Sequence, residues 1–315
     1  TSSFLRSVMC MRTFVCANSV RSWRKTKTAR EHYRTIFALI GQSKVSRQTF
    51  LMPNRRKSQL DVFRTQTWAR FCAVALNLRK GSDLERKMLE VEAAGEPLAK
   101  QVSGAWDGYL RGTGTPYNSW APVPESRWAK VAERACPASW SWFANPMWYL
   151  LEDADFTPGQ LLECASVLPK CFRENLIYDL PMGARAALRL QDVHFHWLYQ
   201  FAIPAGPWAL GATACAMRRA ELAGDGPTMR WAGVSLVWQL RQLADQLDPW
   251  VAEPLEKLRQ KVLNGFAKEF YLDGLSMPIA PRDEERFGSQ LREFIAWSET
   301  DPYVAETPWP PRMGC

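Results

Sequence analysis

Apolar residues recur every three or four positions through most of this chain, and that period narrows its possible folds more than any other feature. Leu236, Leu240, Leu243, Leu247 and Trp250 make one stripe; Leu255, Leu258, Val262, Phe266 and Phe270 make the next. On an α-helix each stripe lies on one face, whereas a half-buried strand would alternate. Asp248-Pro249 separates the two. Proline has no N–H to donate inside a helix but suits the first turn, so the pair predicts a stop and a restart.

The same spacing predicts helices elsewhere. Leu60, Phe63, Thr67, Phe71, Val74 and Leu78 mark one face of a helix over 60–78, with Arg64, Arg70 and Arg79 off that face. Ser82 with Glu85 fits a capping box opening a helix over 83–102. Further helices are expected at 125–135, 138–152, 158–168, 170–179, 183–203 with a break near 191, 206–222, 228–247, 249–270 and 283–299. The one at 158 has a clear start: Thr157 as cap, Pro158 at the first position and Gln160 closing the box. No region is rich in strand signals, and no repeat of about 33–50 residues stands out.

Glycines and prolines punctuate 103–124, among them Gly104, Gly108, Gly112, Gly114, Pro116, Pro122 and Pro124. That stretch reads as a linker between a helical hairpin at 58–102 and a helical body at 125–299. The tail, 300–315, holds four prolines and reads as extended. Residues 1–57 read as a basic arm. The expected fold class is all-α: an irregular helical bundle or α-solenoid with a basic N-terminal arm. Within the body, Phe156 to Cys171 resembles one unit of the organellar RNA-binding helical repeats of the octotricopeptide and FAST-kinase-like kind. The resemblance spans 16 residues around the capped helix.

Charge divides the chain. The formal net charge is +8, yet residues 1–80 hold 17 Lys/Arg against two acids, Glu31 and Asp61, a balance of +15. The remainder carries −7. Such asymmetry points to a polyanionic partner or a targeting signal. Residues 1–30, with seven Lys/Arg, no acid and many Ser and Thr, resemble an organellar transit peptide in composition. Arg21, Arg24, Lys25, Lys27, Arg30 and Arg34 gather around Trp23 and Tyr33, and Arg55, Arg56 and Lys57 form a second cluster. Cations neutralise a phosphate backbone and aromatic rings stack on unpaired bases, so this interleaving suits nucleic acid. A targeting role and a protein or lipid surface remain alternatives.

Other candidate chemistry reads as structural. His194 and His196 with Cys215 or Cys171 could suggest a metal site, but residues two apart on a helix lie about 200° apart, so buried or capping histidines are expected. Glu152, Asp153 and Asp155 precede the capped helix at Thr157, whose N-terminal dipole favours negative charge. Gly104 to Gly114 lacks the P-loop pattern, and there is no G-x-S-x-G elbow. The eight cysteines include no C-x-x-C, so mostly buried thiols in a reducing compartment are expected. No metal, cofactor or catalytic residue is assigned.

Val193 to Met217 contains no Asp, Glu, Lys or Arg and is long enough to span a bilayer. Pro204-Ala205-Gly206-Pro207 interrupts it, which favours a buried helical hairpin. The expected function is non-catalytic: an RNA-contacting structural or assembly component of a ribonucleoprotein such as an organellar ribosome, mitochondrial rather than chloroplast. Its partners would be rRNA and neighbouring proteins. The alternatives are a structural subunit of an organellar membrane complex, with 193–217 in or near lipid, and an enzyme with an unrecognised site.

Overall fold

The computed structural model describes residues 58–94, 102–116, 126–152, 156–180, 187–190, 193–268, 271–272, 275–276 and 278–300. They build an all-α helical bundle. The first helix, α1 (Gln59–Ala75), starts where Ser58 caps it: its hydroxyl accepts from Asp61 N, and Asp61 accepts from Ser58 N. Next come α2 (Gly81–Ala93), α3 (Ala105–Arg111), α4 (Arg127–Ala135), α5 (Ser139–Phe143), α6 (Met147–Leu150), α7 (Pro158–Ser166) and α8 (Lys170–Arg173). A short antiparallel ribbon, β1 (Ile177–Leu180) and β2 (Ala187–Leu190), pairs Ile177 with Leu190. The rest is α9 (Phe195–Ala202), α10 (Pro207–Leu222), α11 (Gly226–Gln246), α12 (Pro249–Lys268), the two-residue strands β3 (Tyr271–Leu272) and β4 (Leu275–Ser276), and α13 (Pro281–Thr300).

The helices pack in a sequence that returns on itself. α10 lies against α11, α11 against α12, and α12 against α1. Helix α1 also meets α3 and α5, so it is enclosed on several sides. Its residues from Phe63 to Arg70 are all buried, including Arg64 and Arg70. The expectation that both arginines lie off the buried face is therefore corrected. Arg64 Nε donates to Phe143 O at 2.6 Å and its guanidinium lies 4.6 Å over the Phe143 ring, while Arg70 reaches Leu110 O, Trp250 O and Glu253. The charge of Arg70 is thus both paired and hydrogen-bonded, as a buried charge needs to be.

Tryptophan supplies much of the packing. Trp68 stands 4.9 Å from Trp106 and 4.8 Å from Phe143, ring to ring, and Trp106 meets Trp128 edge-on at 5.9 Å. Trp148 is buried and donates its indole N–H to Trp142 O. Large flat rings fill the gaps between short helices that meet at varied angles.

Several boundaries differ from the sequence expectation. Ser82 and Glu85 form no capping box: α2 starts at Gly81, and buried Glu85 accepts from the backbone and hydroxyl of Ser103 instead. The helix ends at Ala93, with Ala94 left-handed at φ 50°. Helix α2 packs on α3 and α4 rather than forming a separate hairpin with α1. The described part of 103–124 holds a helix, α3, which buries Trp106, Tyr109 and Leu110. Gly104 and Gly112, at φ 79° and 75°, flank α3, so the glycines that suggested a loop are its two ends. The helix expected over 138–152 is two, parted at Asn145-Pro146. There Asn145 accepts from Met147 N and donates to Ser141 O and Pro207 O. The helices expected at 170–179 and 183–203 give way to the single turn of α8, the ribbon and α9.

Other expectations match closely. Thr157 and Gln160 form the reciprocal cap on α7, with Pro158 at its first position. Asp248 ends α11 and caps α12 by accepting from Trp250 N at 2.9 Å. Residues 193–217 are a helical hairpin, α9 packed on α10, with the turn at 203–206. No helix among the described residues is long and apolar enough to cross a membrane.

Candidate functional site

Arg21, Trp23, Arg24, Lys25, Lys27, Arg30, Arg34, Arg55, Arg56 and Lys57, the residues expected to contact nucleic acid, all lie outside the described residues. So do Asp153, Asp155 and the tail at 301–315. The described part contains a different cationic feature, a cleft of about 600 Å³ where α1, α3 and the start of α12 meet. Arg70, Arg79, Arg111 and Trp250 line it, with Gln66, Asp107 and Thr113 at its edges.

Each side chain is placed by a local cause. Arg70 leaves the last turns of α1, where Nε donates to Leu110 O at 3.3 Å and Nη1 to Trp250 O at 2.9 Å and Glu253 at 2.7 Å. Arg79 follows the turn at Asn77, left-handed at φ 55°, a conformation asparagine tolerates. Its two terminal nitrogens fork onto Asp248, the shorter contact 2.7 Å. Arg111 ends α3, where a cation suits the helix dipole, and its carbonyl accepts from Gln66 at 3.0 Å. Asp107, at the start of α3, accepts from Gly81 N at 3.1 Å. A side chain at Gly81 would collide with Asp107, so that position needs glycine. Trp250 stands beside two guanidinium carbons, 5.4 Å from that of Arg70 and 5.2 Å from that of Arg79.

The electrostatics follow from these contacts. Hydrogen bonds from Arg79, then from Trp250 N, hold the Asp248 carboxyl below the usual carboxylate range. Lys257, then Arg70, do the same for Glu253. The guanidinium of Arg111 makes no ion pair with a described residue. The cleft therefore offers cationic donors and an aromatic wall, and its one lining carboxylate is engaged with a backbone N–H. Guanidinium donors so placed have the chemistry to hold an anion.

The other sequence candidates remain apart. His194 and His196 are exposed rather than buried, stacked at 5.6 Å, and His194 stands at the cap position of α9 without a side-chain capping bond. Partial shielding of the ring from water, then the neighbouring His194, lower the His196 pKa. Cys215 is buried in α10. Among the described residues no three His, Cys, Asp or Glu gather as a metal site. Of the five described cysteines, all but Cys171 are buried. Glu152 has a structural place: its carbonyl accepts from Arg218 and its carboxylate from Ser58 Oγ. Phe156 to Cys171, which resembles one repeat unit, forms α7 and the start of α8, with the β1–β2 ribbon beyond.

The chain matches no protein-family model, no curated protein and no solved structure. The cleft's chemistry and the distribution of charge are thus the grounds for a functional reading.

Proposed function

We propose that this chain is a non-catalytic, RNA-contacting structural or assembly component of a ribonucleoprotein, of the kind an organellar ribosome contains. One observation carries the reading: the described helices use their arginines for internal contacts, while the sequence before them is rich in cations and poor in acids. In the body, arginines hold the fold together. Arg218 is buried against Leu150 O and Glu152 O, Arg230 pairs with Asp283, Arg259 with Glu284, and Arg127 with Glu92. Arg64, Arg70 and Arg79, counted at first with the basic segment, belong to this group. Residues 1–57 instead hold thirteen Lys/Arg and a single acid, Glu31. Cations in that number, with a single acid among them, suit a phosphate backbone. Trp23 and Tyr33 among them add surfaces for stacking on bases.

Under this reading the arm neutralises phosphates while the aromatic-rich body packs on neighbouring proteins. Sedimentation of the tagged full chain from its native cells tests it. The expected result is migration with a large particle that moves to light fractions after ribonuclease treatment. A chain that sediments alone, or in a particle indifferent to ribonuclease, would rule the reading out.

A further inference from the structure

The cleft between α1, α3 and α12 is separate from the arm in sequence and in chemistry. We propose that it is a binding site for a phosphate-bearing ligand of nucleotide size, either a free nucleotide or the phosphorylated end of an RNA strand. The inference stands whether or not the arm contacts RNA.

Three features of the cleft support it. Its volume, about 600 Å³, falls within the roughly 300–1,000 Å³ typical of small-molecule sites. Its charge is unbalanced. The arginines lining it are Arg70, Arg79 and Arg111; the carboxylates at it or bound to them are Asp107, Asp248 and Glu253, and Glu253 is also held by Lys257. Of the residues that line the cleft, the three arginines exceed the one carboxylate, Asp107, by two. A phosphate monoester carries about that much negative charge near neutral pH. Finally, donors remain. Among the described residues, the Arg79 fork on Asp248 leaves its Nε–H, and no hydrogen bond or ion pair engages the Arg111 guanidinium. Trp250 and the flat guanidinium faces beside it provide the surface on which an aromatic base packs.

Arg111 is the discriminating residue, because it is exposed and its side chain makes no ion pair with another described element. The test uses the full chain. Calorimetry measures AMP and inorganic phosphate, and fluorescence anisotropy compares a short RNA bearing a 5′-phosphate with the same RNA bearing a 5′-hydroxyl. The expected result is saturable binding of AMP or a preference for the 5′-phosphate, weakened at least about tenfold by Arg111→Glu and largely kept in Arg111→Lys. A preference for the phosphorylated RNA end identifies RNA as the source; AMP binding without it identifies a free nucleotide. Lys130→Glu, an exposed change on α4, and Arg55→Ala/Arg56→Ala/Lys57→Ala together leave AMP binding unchanged. If Arg111→Glu lowers the melting temperature, Arg111→Gln replaces it as the test variant. Absence of both AMP binding and a 5′-phosphate preference, or binding unaffected by the cleft variants, overturns the proposal.

Discussion

Arg218 shows why a basic residue need not serve a basic surface. Its guanidinium lies over the Phe156 ring at 4.8 Å and donates to two carbonyls, Leu150 O and Glu152 O, and to Glu221. Arg218→Met keeps the bulk but leaves both carbonyls without a donor, at a cost of about 3 kcal/mol. Urea denaturation checks this as a lower midpoint at unchanged slope; a midpoint like that of the native chain would contradict it. Thiols make a second prediction. Burial pushes the Cys72 and Cys215 thiols up, away from the reactive thiolate. Both are expected to resist alkylation near neutral pH until the chain is unfolded, as mass spectrometry of the labelled peptides would show. Burial of an arginine is not legible from sequence spacing. Arg64 and Arg70 look like solvent-facing cations of an amphipathic helix, and only the carbonyls brought by Phe143, Leu110 and Trp250 reverse that. The cleft was hidden for the same reason, since Arg70, Arg79, Arg111 and Trp250 come from segments up to 180 residues apart.

Helices whose signals are local were legible; those defined by neighbours were not. The stripes on α11 and α12 and the Thr157–Gln160 cap can be read directly, because period and capping are properties of a few adjacent residues. Thr157→Ala is expected to cost about 1 kcal/mol, read as a lower melting temperature. By contrast, α3 is seven residues long between two glycines, and a loop carries the same punctuation. What makes it a helix is the burial of Trp106 against Trp68. The β1–β2 ribbon lies where apolar spacing suggested a helix, a short-run ambiguity that periodicity cannot resolve. The join of α1 to α12 carries a pH dependence. Asp248 and Glu253 titrate below their ordinary range in the fold, so the stability they contribute is present above the unfolded carboxylate pKa and is lost as pH falls through their lowered values. Asp248→Asn should therefore flatten the acid limb of a plot of melting temperature against pH; an unchanged limb would exclude the clasp as a contributor.

At the scale of the whole molecule, the body closes when its first described helix packs on one of its last, α1 on α12. Every helix after Ser58 is thereby tied into one unit, and arginines that sequence alone assigns to a basic surface become internal struts. The positive charge without matching acids is left in residues 1–57, where Arg55, Arg56 and Lys57 stand immediately before the cap of α1. The proposed binding of RNA by this segment is electrostatic, so the salt dependence of RNA affinity is its sharpest test. Logarithmic affinity of the full chain for single-stranded RNA is predicted to fall linearly with logarithmic salt, and replacing Arg55, Arg56 and Lys57 by alanine to reduce that slope by about 2. An affinity that barely changes with salt, or a slope unaltered by the triple replacement, would contradict it.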